Sequence, residues 1–279
     1  MYNLIKDTLK LDIFNVNWDV SSKKINQVEL TSSGKYRLLE GVGRFLYHVF
    51  SSIFYFKFAI SPLKESVILF SGTPNQTNAL NKLCSMGELL EFGNQGNYRG
   101  NRSYEAWPYL LSFIFIPVII WKYISEKDSF RRRMILCRFD RYIFSYGLYM
   151  FFRITLNSKK TRLIIVSNDH SVWQRSILFA AKKNGIKVAY VQHANVSDVF
   201  PALDFDYAFL DGTHAKECYL SSESAKVYRV GCLRFEDLFL NLKGIHNSRD
   251  GILLCFNKID SEDVINKIVD FFTKKMLEQ

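Results

Sequence analysis

One stretch limits what this chain can fold into more than any other. It runs from Arg162 to Gly212 and reads RLIIVSNDHSVWQRSILFAAKKNGIKVAYVQHANVSDVFPALDFDYAFLDG. Leu163 to Val166 and Val188 to Val191 are continuous apolar runs, the pattern of strands buried on both faces. Between them Val172, Ile177, Leu178 and Ala181 recur at helical spacing, and Gly185 ends the helix where a left-handed residue is needed. The product is a βαβ unit. Loops that follow its strands gather at one edge of the sheet, where ligands bind in open α/β folds. Those loops carry Asn168, Asp169 and His170, then Gln192 and His193, so the site is placed there.

The same alternation extends to both sides. Val67 to Phe70 reads as a strand and runs into SGTPNQTNALNKL, a turn of small residues followed by a helix. Gly72 there lets a substrate approach the backbone, with Thr73 or Asn75 as the cap; an ordinary βα turn accounts for the same residues equally well. The absence of GxGxxG and of a Walker A lysine removes the dinucleotide and P-loop readings. Glu88 to Phe92 makes a second strand, and GNQGNYRGNRSYE, basic at Arg99 and Arg102, makes a mobile loop over the site. Ala208 to Leu210 is a further strand ending at Asp211 and Gly212, and Val227 to Val230 another. The fold expected is α/β, a Rossmann-like doubly wound parallel sheet. Residues 1–60 form a helical, aromatic extension, 61–242 the Rossmann-like domain and 243–250 a linker. Residues 251–279 open a second, incomplete domain: a strand at Ile252 to Phe256, then a helix presenting Val264, Ile268 and Phe271.

Composition enters with the choice of partner. The 279 residues are 48% hydrophobic and carry a formal net charge of +10, which suits a sizeable core and an anionic partner. Nucleic acid is set aside for want of an RRM or helix-turn-helix signature. The aromatic share of 15%, mixed with Lys and Arg in the first half, favours an anionic membrane surface. The segment YRLLEGVGRFLYHVFSSIFYFKFAI is either an amphipathic helix on a bilayer or an internal helix, with His48 a packed or surface residue. Trp107 to Tyr123 is the most apolar run. It falls short of the roughly 20 residues of a span, is broken by Pro117, and precedes the basic residues Arg131, Arg132, Arg133, Arg138 and Arg141. It reads as a buried or membrane-dipping helix whose basic neighbours meet anionic lipid or a lipid-linked acceptor; a solvated charged face beside a core helix is the alternative. Cys84, Cys137, Cys218, Cys232 and Cys255 include no CxxC pair and read as reduced core residues of a cytosolic protein. Charges at Lys6, Asp7, Lys10 and Asp12 interrupt any signal-peptide core.

His193 follows a strand directly and precedes the small residues Ala194, Asn195 and Ser197, so it is a candidate base for a sugar or polyol hydroxyl, or else a residue that fixes its loop. Asp169 orients a histidine or holds the acceptor, or else, like Asn168, caps the helix beginning near Ser171. Arg175 on that helix meets a phosphate or makes a surface ion pair. His170, His193, Asp169, Asp211 and His214 lack metal-site spacing, so no metal is expected, and no GxSxG elbow supports a serine hydrolase.

The phrases SNDHSVWQRS, YVQHANVSDVFPALDFDYAFLDG and VGCLR resemble the N-terminal half of GT-B glycosyltransferases and polyol-phosphate transferases of bacterial capsule, O-antigen or teichoic acid synthesis. The resemblance implies that His193 is the base activating the acceptor and that Gln192, Asn168 and Asp169 lie at the cleft between domains. It implies a nucleotide-activated donor, a saccharide or lipid-linked acceptor, polysaccharide-assembly partners, a cytoplasmic position at the inner face of the membrane, and no metal. Family members bind the donor mostly in a C-terminal domain whose motifs do not occur before Gln279, so an incomplete enzyme is expected. A nucleotide-sugar 2-epimerase and a truncated, non-catalytic acceptor-binding module remain as alternatives.

Overall fold

The computed structural model describes residues 2–23, 34–58, 63, 65–91, 102–219, 224–235, 266, 267 and 270. Six strands are present among them: β1 Val67–Ser71, β2 Glu88–Glu91, β3 Leu163–Val166, β4 Lys187–Val191, β5 Tyr207–Leu210 and β6 Lys226–Arg229. They form one sheet in the order β2-β1-β3-β4-β5-β6, and every pairing is parallel. The helices, in chain order, are α1 Tyr2–Thr8, α2 Ile13–Val16, α3 Trp18–Ser21, α4 Gly34–Ile53, α5 Pro74–Leu80, α6 Arg102–Ser112, α7 Ile116–Ser125, α8 Ser129–Cys137, α9 Phe139–Thr155, α10 Val172–Lys183 and α11 Thr213–Cys218. This is the doubly wound α/β fold expected, with strand positions matching the apolar runs to within a residue or so.

The two faces of the sheet are covered by different helices, and the period of two decides which side chains go where. Ile68, Phe70, Ile164, Val166, Val188 and Tyr190 point to one face, into a large core shared with α9, α10 and the N-terminal helices. Leu69, Ile165, Ala189 and Val191 point to the other, against Leu80 of α5. Parallel strands need such crossovers, because the chain must return along the sheet before each new strand. Val172, Ile177, Leu178 and Ala181 of α10 are all buried, and Gly185 takes φ +73°, the left-handed geometry expected of it. Gly147 of α9 lies where a Cβ would collide with the Pro108 carbonyl oxygen and Ser112 Oγ of α6, so a bare backbone is what lets those two helices cross closely.

Contacts divide the chain into a unit Met1–Asp237 and a unit Leu238–Gln279. In the second, Asn266, Lys267 and Asp270 are helical. The expected linker, the strand at Ile252 to Phe256, Cys255 and the loop around Arg99 lie outside the described residues. The apolar run from Trp107 to Tyr123 is not one straight helix: a 3-10 turn at Phe113–Phe115 separates α6 from α7, and Pro117 sits in the first turn of α7, where proline costs no hydrogen bond. Of the cysteines expected in the core, Cys137 is buried, Cys218 and Cys232 are half-buried and Cys84 is exposed.

Candidate functional site

β1 is followed by β2 on one side and β3 lies on its other side, so the chain reverses direction across the sheet between β1 and β3. Helix α5, after β1, and helix α10, after β3, leave toward opposite faces. A crevice opens where they diverge, and open α/β sheets bind ligands there. The structure has a cavity of about 470 Å³ at this point, lined by Gly72, Thr73 and Gln76 after β1 and by Asn168, Ser171 and Gln174 after β3.

Two glutamines join its two sides. Thr73 caps α5 and accepts from the Gln76 amide at 3.4 Å, while Ser171 stands at the N-cap of α10 and bonds Gln174. Both are the Ser/Thr-x-x-Gln spacing of a capping box. Gln174 Oε1 accepts from its own cap, the Ser171 hydroxyl, while the Gln76 side chain turns to other partners. Gln76 Oε1 accepts from the Gly72 amide at 2.7 Å and from Gln174 Nε2 at 2.7 Å, so β1 and β3 are tied across the reversal point. Gln76 and Gln174 were not among the sequence candidates, although the cap spacing marks both.

The far wall comes from residues distant in sequence. Arg44 and His48 reach in from α4, one turn apart, with Tyr109 of α6, and Arg138, Asp140, Arg141 and Phe144 stand at and after the start of α9. Arg44 holds Asp140 with two bonds, at 3.0 and 3.2 Å, and Arg141 bonds Asp19 at 2.7 Å. Three arginines and two aspartates line the wall beside the N-terminus of α10, and Arg44 also pairs with Glu40 of its own helix. His48 stacks on Tyr109 with centroids 5.0 Å apart. Burial holds its pKa below the ordinary value, Asp140 opposes that shift and Arg44 adds to it, so the ring is neutral near pH 7.

Between Asn168 and Ser171, on the loop that supplies this wall, lies an oriented acid-base pair, Asp169 and His170, neither of which is among the residues lining the cleft. His170 Nδ1 is 2.7 Å from Asp169 Oδ1, and Asp169 Oδ2 accepts from the Tyr219 hydroxyl. A carboxylate only accepts, so Nδ1 is the donor to Asp169, and in the neutral ring Nε2 is the basic nitrogen. Asp169 is buried while His170 is partly open, its ring stacked on Phe200 at 4.8 Å. Burial, with Tyr190 and Asp169 beside it, drives the Tyr219 phenol far up, so it stays protonated and serves Asp169 as a donor. The arrangement is that of a base held by a buried orienting carboxylate.

The other sequence candidates fall elsewhere. Asp169 was expected beside His193, yet both its oxygens are engaged by His170 and Tyr219. His193 is half-buried beyond the end of β4 and is not among the residues lining the cleft. Asn168 lines the cleft, and its Oδ1 accepts from the amides of His170 and Ser171 at 3.0 and 2.7 Å, so it shapes the turn into α10. Gln192 is a clamp within the protein: Nε2 donates to the Ala194 carbonyl and Oε1 accepts from the Asp211 amide, both at 2.9 Å. Gly212 forms the N-cap of α11, next to Asp211. Asn75 is exposed and Thr73 is the cap.

Arg175 corrects the expectation of a phosphate contact or a surface ion pair. It is 2% exposed, and its guanidinium donates to the Asn15 carbonyl at 2.6 Å, to the Asp169 carbonyl at 2.8 Å and to Asn15 Oδ1. Its work is to fasten α2 and the Asp169 backbone to α10. Among the described residues no group of three or more His, Cys, Asp or Glu side chains is placed to hold a metal ion.

No family model, curated protein or solved structure shows significant similarity to this chain.

Proposed function

We propose that the protein is a transferase of surface-polysaccharide synthesis that moves a sugar or polyol phosphate from a nucleotide-activated donor to a saccharide or lipid-linked acceptor, with the described unit holding a phosphorylated acceptor. The observation that carries the proposal is the cleft between β1 and β3, where three arginines and the start of α10 face one cavity. A phosphate there meets guanidinium N–H groups and the positive end of a 12-residue helix. The polysaccharide part of the proposal rests on the resemblance of residues 167–176 and 190–212 to GT-B transferases. It carries with it a position at the cytoplasmic face of the membrane.

Asp169 and His170 supply the base in this scheme, in place of His193. The acceptor hydroxyl attacks the electrophilic centre of the donor, the anomeric carbon of a sugar or the phosphorus of a polyol phosphate. The bond from that centre to the nucleotide leaving group breaks, and the hydroxyl proton passes to His170 Nε2. Asp169 then faces an imidazolium and stabilises it.

The test is nucleotide release from a panel of nucleotide-activated sugars and polyols in the presence of a synthetic lipid-linked diphosphate saccharide. His170→Ala is expected to slow release by roughly 10²- to 10⁴-fold with an unchanged melting temperature, and His193→Ala to keep most of the rate. Wild-type turnover by His170→Ala would refute the dyad. A wild-type chain that neither releases nucleotide nor gains thermal stability from inorganic diphosphate would refute the cleft as an anion site.

A further inference from the structure

The outer face of α4 is apolar where a surface helix is ordinarily polar. Leu46, Tyr47, Phe50, Ile53 and Phe54 are exposed along it, and Phe58, just beyond, is 93% exposed. The inner face is also apolar: Phe45 and Val49 are buried against Ile143, with Tyr109, Leu110 and Ile116 packed beside them. Arg44 and His48 project from a third side into the cleft. A helix of 20 residues therefore has its core-facing stripe satisfied and carries a second apolar stripe with no protein on it among the described residues.

A second element packed against α4 carries exposed apolar residues of its own. Phe45 of α4 lies 5.5 Å from Phe113, and the Trp107 indole donates to the Lys57 carbonyl, so α4 and the α6–α7 segment touch at both ends. On that segment Phe113, Ile114, Ile120, Trp121 and Ile124 are exposed. Ala106–Ser125 is apolar enough to cross a membrane, yet only 22% of its most hydropathic window is buried inside the protein. A helix serving as soluble core would be mostly buried. Scattered exposed apolar residues are ordinary, but a contiguous belt of aromatic and branched side chains is not.

The charges name the partner. Between Phe45 and Phe58, and between Phe113 and Ile124, the only formally charged residues are Lys57 and Lys122. Helix α8, which contacts both α4 and α7, exposes Arg132 and Arg133. An apolar belt with aromatic residues, basic side chains within it and a basic helix alongside complements the acyl boundary and anionic headgroups of a lipid bilayer. We infer that the outer face of α4 with the α6–α7 segment seats the protein in the surface of an anionic phospholipid membrane, lying in the interface without spanning it. The 3-10 break at Phe113–Phe115 and the prolines at 108 and 117 suit a segment that dips and returns. This inference is independent of the dyad and of the cleft's ligand.

The experiment is co-sedimentation of the full chain with phosphatidylcholine vesicles, with and without phosphatidylglycerol. Wild type is expected to sediment with the anionic vesicles, less with the neutral ones, and less as salt rises. The double variant Phe54→Glu, Trp121→Glu, altered only at exposed positions, is expected to lose at least about tenfold in partition with unchanged circular dichroism and melting temperature. Wild type remaining in the supernatant with anionic vesicles overturns the inference, and so does equal partition by the folded variant. A concentration-dependent dimer of the wild type, abolished by the same substitutions with no effect on partition, would assign the belt to a second copy of the chain instead.

Discussion

Arg175 offers a sharp test, because its guanidinium is buried and its hydrogen bonds all go to the protein's own acceptors. Replacing it with Ala removes three donors at once and leaves the Asn15 carbonyl, the Asp169 carbonyl and Asn15 Oδ1 without them. The buried Asp169 carbonyl costs about 1–3 kcal/mol when orphaned, the two acceptors of half-buried Asn15 cost less, and the vacated side-chain volume adds to that. Against this stands relief from desolvating a cation. Burial is the largest influence on the guanidinium and pulls its pKa down, with Asp169 the first of the carboxylates that oppose it. Taking both into account, the net loss for Arg175→Ala is about 3–5 kcal/mol. Arg175→Met fills most of the volume and spares the desolvation cost, so it is expected to lose about 2–3 kcal/mol. Urea unfolding followed by far-UV circular dichroism measures both variants. Because the Asp169 carbonyl is one of the acceptors, near-UV signals around Tyr219 are expected to change before the global transition. Stability within about 1 kcal/mol of wild type for Arg175→Ala would show that the guanidinium holds nothing together and would refute the reasoning.

Further outcomes follow from individual sites. Gly147→Ala places a Cβ against the backbone of Pro108, which cannot yield, so it is expected to cost about 3 kcal/mol or more in an unfolding titration. Gly43→Ala, on a helix with nothing within 4 Å of the new atom, is expected to stabilise by about 0.5–1 kcal/mol in the same assay. His48 has its pKa lowered mainly by burial, so the unfolded chain binds its proton more readily. Its contribution to stability is whole above the ordinary value near 6.5 and is lost as pH falls below that value toward the lowered pKa. Melting temperatures across that window are expected to fall less steeply for His48→Phe, which keeps the stacking on Tyr109, than for wild type. Equal slopes would exclude His48 as the source.

Much of the fold was legible because it rests on short-range signals. The apolar runs of β3 and β4, the spacing of Val172, Ile177, Leu178 and Ala181, and Gly185 each speak for their own segment, and the structure places them as read. The candidate site was legible only where its residues sit directly after strands. Gly72, Thr73 and Asn168 line the cleft as strand-following residues should. Asp169 and His170 were singled out, but not as partners of each other. Two features were in the sequence and went unread: the cap spacings Thr73 to Gln76 and Ser171 to Gln174, and the side of α4 that carries Arg44 and His48.

The sequence by itself determined a parallel α/β sheet and the edge of it where polar residues collect, since strand period, helix period and turn chemistry are properties of neighbouring residues. Only the tertiary structure decided which polar residues work together. Strand order put the crevice between β1 and β3, and its lining takes in Asn168 and Ser171 but none of Asp169, His170 and His193. Packing sent Arg175 inward to Asn15, which lies 160 positions away, and brought Arg44 to Asp140 from 96 positions away. The physical reason is that a side chain's partners are set by where whole helices come to rest against the sheet, and no local pattern records that.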